Sequence, residues 1–163
     1  MSTPHTDSTS RPVAIVTGGS RNIGRAIAHA LGAAGMAVVI VARSDRDAAE
    51  TVVHELEAMG TPATSVLADV AREASADLIV GHALERFGRL DVLVNNAAIR
   101  REKPVEAMSL AEWREIIGIC LDGAFLLSRA AIPHLADSPA SALVSPSSPA
   151  LAATTWARFG APV

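Results

Sequence analysis

The chain predicts an α/β fold with a doubly wound parallel sheet, and three observations point to it. Short apolar runs alternate with longer segments in which apolar residues recur every three or four positions. The runs show no polar alternation, as expected of strands buried on both faces of a parallel sheet. Strand and helix follow one another at lengths that suit right-handed βαβ units, with helices on both faces.

The elements follow in order. Residues 1–12 (MSTPHTDSTSRP) read as a disordered leader. Val13-Ala14-Ile15-Val16-Thr17 is the first strand, closed by Gly18-Gly19. Ile23, Ile27, Ala30, Leu31 and Ala34 mark one face of a first helix, with Gly35 in the C-cap position. Residues 37–42 (AVVIVA) form a second strand. A second helix over 45–59 puts Ala49, Val52, Val53 and Leu56 on one side, and Gly60-Thr61-Pro62 ends it. A third strand is expected over 64–68 and a third helix over 73–87, with Ile79, Ala83 and Phe87 four apart. Residues 91–94 make a fourth strand. Ser109 and Glu112 form the capping-box pattern S-x-x-E. Behind it, Trp113, Ile116, Cys120, Ala124, Leu127, Ala131 and Leu135 predict one long helix, bent or ended near Pro133. Ala142-Leu143-Val144 begins like a fifth strand. Pro146 and Pro149 then interrupt the pattern, since proline cannot donate to a ladder. The expected organisation is a leader over 1–12, an α/β domain over 13–144 and an irregular tail over 145–163.

Composition narrows the function. The 163 residues are 50% apolar and 19% charged, which excludes a wholly disordered chain. Net charge is -3, and Arg100, Arg101 and Lys103 are the only basic cluster, so no nucleic-acid partner is expected. One Cys and five scattered His residues argue against a disulfide framework and a metal centre. The longest aliphatic run, residues 36–42, falls short of the ~20 residues of a membrane helix. The N-terminus has no apolar signal core, which makes the cytoplasm the expected location. There is no Tyr at all.

The turn after the first strand, Thr17-Gly18-Gly19-Ser20-Arg21-Asn22-Ile23-Gly24, carries the chemistry. Glycines let a backbone approach a pyrophosphate, and the following helix presents free N–H groups. Gly19 and Gly24 have the spacing of a Walker A loop, but Arg25 and Ala26 stand where Lys and Ser/Thr are required. A plain glycine-rich βα turn is the remaining alternative.

Here the chain resembles the short-chain dehydrogenase/reductase family, whose signature is T-G-x-x-x-G-x-G. Thr17, Gly18 and Gly24 match; Asn22 replaces the middle glycine, and Asn tolerates positive φ. Asp69-Val70 resembles the family's adenine contact, and Asn95-Asn96-Ala97-Ala98 its N-N-A-G motif with Ala98 for Gly. The likeness spans residues 13–136, roughly three quarters of the chain. It implies a Rossmann-type domain without the family's C-terminal strands and helices. It also implies a nicotinamide dinucleotide held by Gly18, Ser20, Arg21, Asn22, Ile23, Gly24, Arg43, Asp69, Val70, Asn95, Asn96 and Ala97. Arg43 and Arg21 favour the 2′-phosphate of NADP(H) over NAD(H). The alternative is that both are solvated, with Asp45 or Asp47 neutralising Arg43.

The same resemblance implies hydride transfer between nicotinamide and a carbonyl or alcohol substrate. The family's relay Asn falls on Cys120, otherwise a packed helix thiol. The family's Ser falls on Ser148, otherwise a turn residue between prolines. The Tyr of Y-x-x-x-K falls on Ala161, and its Lys would fall beyond Val163. Three readings therefore stand: a cofactor-binding portion of an oxidoreductase, a nucleotide-binding module without chemistry, or a truncated or frame-shifted product. The helix after Ser109 resembles the family's interface helix, which implies a homo-oligomer through residues 110–135.

Overall fold

The computed structural model describes residues 11–135, 138 and 141–145. Most of the expected leader and tail, residues 1–10 and 146–163, lies outside them. Five strands form one parallel sheet in the order β3-β2-β1-β4-β5: β1 (Val13–Thr17), β2 (Ala37–Ala42), β3 (Ala63–Leu67), β4 (Val92–Val94) and β5 (Ala142–Val144). The chain starts in the middle, steps outward to β3, then crosses to β4 on the other side of β1. A crevice opens at the carboxyl ends of the strands where that reversal occurs.

Period-two alternation of the central strands divides the core into two layers. Ala14, Val16, Val38 and Ile40 face α1 (Asn22–Ala33) and α2 (Arg46–Ala58), whose Ala28, Val52 and Leu56 complete that layer. Ile15, Val39, Val41 and Leu93 face the other way, onto α3 (Glu73–Phe87) and α5 (Gly123–Leu135). The buried face of α2 is the expected one, Ala49, Val52, Val53 and Leu56. Asp45 caps its start by accepting from Ala48 N at 3.1 Å.

The structure corrects four details. The buried row of α1 is Gly24, Ala28 and Gly32, whereas Ile23 is 68% exposed. The helix approaches α2 and the turn that follows α2 too closely for larger residues: a Cβ on Gly32 would lie 2.9 Å from Leu56 Cδ2 and 3.0 Å from the Thr61 side chain. Next, β3 begins and ends one residue earlier than expected and is half-buried along most of its length, because it is a sheet edge, paired among the described residues only with β2. Then β4 starts at Val92, with Asp91 just ahead of it.

The fourth correction concerns the long helix. Its break is not at Pro133, which lies inside α5, but at a π turn, Gly118–Asp122, between α4 (Leu110–Ile117) and α5. The i→i+5 turn takes in an extra residue and rotates the faces before and after it. Downstream, Leu127, Ala131 and Leu135 are buried as expected. Upstream, Ile119 is buried instead of Cys120, and Trp113 is half exposed. Among the described residues this helix, Leu110–Leu135, is the one long and apolar enough to cross a membrane, a property the aliphatic-run count missed. The buried residues of α5 pack against α3. The capping box at its start is formed, and Glu112, bonded to Ser109 and Lys103, has its pKa pulled down to about 2.

Asp91 anchors the opposite end of the sheet from the crevice. Its side chain is fully buried and accepts from Val13 N (2.7 Å), from Arg89 Nε (2.9 Å) and Nη2 (2.7 Å), and from Ser138 Oγ. Burial pushes its pKa up, but these hydrogen bonds win and hold it below the ordinary 3.8. A depressed pKa contributes stability that is present above the unfolded value and is lost as pH falls through the folded one. Asp91→Asn should cost about 1.5–3 kcal/mol at neutral pH, the worth of hydrogen bonds to a charged group. Urea denaturation from pH 7 down to pH 2 should show wild type converging on the mutant at the acid end; parallel curves would contradict this account.

Candidate functional site

The crevice is a cleft of about 720 Å³ at the carboxyl ends of β1, β2, β3 and β4. Its size falls in the usual range for a cofactor or ligand pocket, roughly 300–1,000 Å³. Gly18, Ser20, Arg21, Asn22, Ile23 and Gly24 line it from the β1–α1 turn. Arg43 reaches it from the end of β2, Asp69 and Val70 from beyond β3, and Asn96 and Ala97 from beyond β4.

The turn is built for close approach. Gly18 has φ +64°, and Asn22, at +46°, is the only non-glycine with positive φ among the described residues. A short polar side chain can occupy that region, so Asn22 serves where the family motif has glycine. A Cβ on Gly24 would stand 2.1 Å from Gly18 O and 2.6 Å from Asn96 Nδ2, so α1 starts directly against the turn. Its N-cap residue, Arg21, makes no side-chain cap, and its first turn holds no acid. Among the described residues, the leading N–H groups of α1 therefore have no side-chain acceptor, unlike those of α2 and α4.

Asn96 and Thr17 hold the floor. Asn96 Nδ2 donates to Thr17 O at 3.0 Å and to Gly18 O at 3.4 Å. Thr17 Oγ1 donates to Val94 O (3.2 Å) and accepts from Ala97 N (2.9 Å). Asn95 does not line the cleft. It is buried behind it, donating from Nδ2 to Ser128 Oγ at 3.2 Å, and its Oδ1 has no partner among the described residues. Asp69 Oδ1 accepts from Ala71 N at 3.1 Å, which fixes the loop after β3. That loop meets the long helix where it is thinnest: a Cβ on Gly123 would lie 2.9 Å from Val70 Cγ2.

Charge at the rim is arranged in pairs. Arg21 Nη2 lies 3.1 Å from Asp45 Oδ2. Arg43 Nη1 lies 3.5 Å from Glu115 Oε1 on α4, so neither Asp45 nor Asp47 is its partner. Arg101 holds the other oxygen of Glu115, and this pair of guanidiniums keeps the Glu115 pKa below its ordinary value, Arg101 contributing most.

Ser148 and Ala161 lie outside the described residues. Cys120 is half-buried in the π turn. The sequence reading missed Ile119, Ala98, Ile99 and Ser44, which also line the cleft. Ser44 and the Ala98 segment follow strand ends and could have been found by that rule alone. Ile119 could not, because the π turn sets its direction.

Comparison with known proteins agrees with this geometry. A family model described as short chain dehydrogenase matches residues 12–159. The chain is 44% identical over 118 residues to a 3-oxoacyl-[acyl-carrier-protein] reductase of Synechocystis sp., covering 72% of this chain and 48% of that protein. It is 39% identical over 123 residues to 3beta-hydroxysteroid dehydrogenase 1 of Eggerthella lenta, covering 76% and 47%. The chain thus spans about half the length of the curated relatives it matches. A metagenomic short-chain oxidoreductase, crystallised in complex with NADP, superposes with TM-score 0.75 at 37% identity, over 84% of this chain and 61% of that one.

Two glycines should respond oppositely to one added methyl. Gly24→Ala has to displace the Gly18 carbonyl, and overpacking of this kind costs about 1–3 kcal/mol. Gly81, mid-way along α3, would meet nothing within 4 Å, so Gly81→Ala should stabilise by about 0.5–1 kcal/mol. Thermal denaturation followed by circular dichroism checks both signs.

Proposed function

The chain belongs to the short-chain dehydrogenase family, and from that premise we propose that its cleft takes a nicotinamide dinucleotide, NADP(H) in preference to NAD(H). The observation that carries this reading is the bare backbone of the glycine turn. Nothing bulkier than hydrogen fits at Gly24, and the start of α1 carries no side-chain cap. A pyrophosphate needs both features: a surface it can approach and N–H groups to accept from. Asp69 and Val70 would flank the adenine, and Asn96, through its hold on Gly18 O, would keep the turn open.

Arg21 and Arg43 support the choice of NADP(H). Both are exposed and paired with carboxylates, and exposed pairs are worth no more than about 1 kcal/mol. A phosphate contact, at about 1.5–3 kcal/mol, can displace them. The solved neighbour that holds NADP has the same fold.

For the whole protein we propose hydride transfer with a carbonyl or alcohol substrate. When bound, the nicotinamide supplies or accepts the hydride. Such a step also requires a positioned proton donor, worth about 10²–10⁴-fold. The absence of any Tyr in the sequence favours a second reading for this 163-residue chain, a nucleotide-binding module without chemistry. We also propose that the long helix pairs two copies of the chain. Its outward side carries Leu110, Trp113, Leu121 and Phe125, each at least half exposed.

Arg43→Asp should weaken NADPH binding about 10-fold or more, from the lost contact and the added repulsion, while sparing NADH. Fluorescence titration with both cofactors decides it; equal weakening would mean that Arg43 does not read the 2′-phosphate. The wild-type chain, given NADPH and a panel of ketones, should show no oxidation above a cofactor-only blank. In sedimentation velocity, Phe125→Glu should shift the chain towards monomer; an unchanged sedimentation coefficient would rule out pairing through this face.

A further inference from the structure

We infer that Glu115 is a specificity-determining residue of the cleft, an internal counter-ion that competes with the cofactor's 2′-phosphate for Arg43. The inference rests on the cofactor reading above and deepens it. Glu115 lies on α4, far in sequence from the β2–α2 turn that carries Arg43. Glu115 does not itself line the cleft, but its carboxylate reaches the guanidinium of Arg43, which does. Its Oε1 lies 3.5 Å from Arg43 Nη1, and its Oε2 is held by Arg101.

Arg101 keeps the carboxylate in place, so Arg43 has a fixed acceptor when no phosphate is present. A guanidinium so engaged has to leave Glu115, at least in part, to receive a phosphate. The carboxylate thus lowers affinity for cofactors that carry the 2′-phosphate and leaves unchanged affinity for those that carry a hydroxyl. Asp45 does not substitute for it, because Asp45 is paired with Arg21. The fold brings together a cation that reads one phosphate and an anion that restrains that cation, and helix α4 controls the second.

The test compares Glu115→Gln with wild type by titration with NADPH, NADH, 2′,5′-ADP and 5′-AMP. The exposed pair is weak, so NADPH and 2′,5′-ADP should bind about 2- to 5-fold more tightly to the variant. NADH and 5′-AMP should bind unchanged. Glu112→Gln removes a charge from the same helix without touching Arg43, and should reproduce none of the gain. In an Arg43→Ala background the gain from Glu115→Gln should vanish. If wild type binds NADPH but Glu115→Gln changes nothing, or tightens both cofactors alike, the counter-ion role is overturned and the cofactor reading stands. If wild type binds none of the four ligands, both are overturned.

Discussion

The cleft exists because β1 and β4 lie side by side with their carboxyl ends level. Thr17 and Asn96 fasten that end, with a hydroxyl and an amide bonded across the strand ends and into the glycine turn. Asp91 fastens the other, with a buried carboxylate shared between the first residue of β1 and the segment leading to β5. Between the two clamps the strands are short and wholly apolar, and contribute burial but no direction. Register is therefore fixed by a few polar groups. An unsatisfied buried donor or acceptor is costly enough to exclude a slipped pairing. Once the register is set, the turn after β1 and the turn after β4 meet, and α1 is pressed against Gly18.

Electrostatics at the rim follows from the same arrangement. Arg21 and Arg43 lie at the cleft, each tied to a carboxylate from another element. The basic character of the mouth is thus latent, available to an anion at the loss of a weak pair. A net charge of -3 for the chain would not reveal it.

Much of this was legible in the sequence, because apolar runs and helical spacing are strong signals when strands are central. The β2 run AVVIVA and the Ala49, Val52, Val53, Leu56 stripe could be read directly. Three things could not. The buried row of α1 is made of Gly24, Ala28 and Gly32, which carry no hydrophobic signal; closeness of approach, and not apolarity, selects them. The π turn at Gly118–Asp122 breaks the 3.6-residue period, so the upstream half of the helix was read out of phase. The partner of Arg43 comes from α4, and a contact across the chain leaves no mark on local sequence. Even so, eleven of the twelve cofactor positions implied by family resemblance line one cleft, Asn95 alone being set behind it. Motif positions anchored to strand ends converge, since parallel strands bring their ends to one edge.

The hydrogen bond between Val13 N and Asp91 also bears on the order in which the molecule assembles, since it joins residues 78 apart in sequence. Pairing β1 with β2 closes a short loop through α1, and a local contact of that kind forms early. Pairing β1 with β4 closes a loop that contains two further helices and a strand, and its entropic cost has to be met before any contact is gained. A chain emerging residue by residue can build the β1-α1-β2 unit, glycine turn included, while the wall of the cleft formed by Asn96 and Ala97 is still unmade. During that interval the turn is open on one side, and the inner edge of β1 has no neighbour.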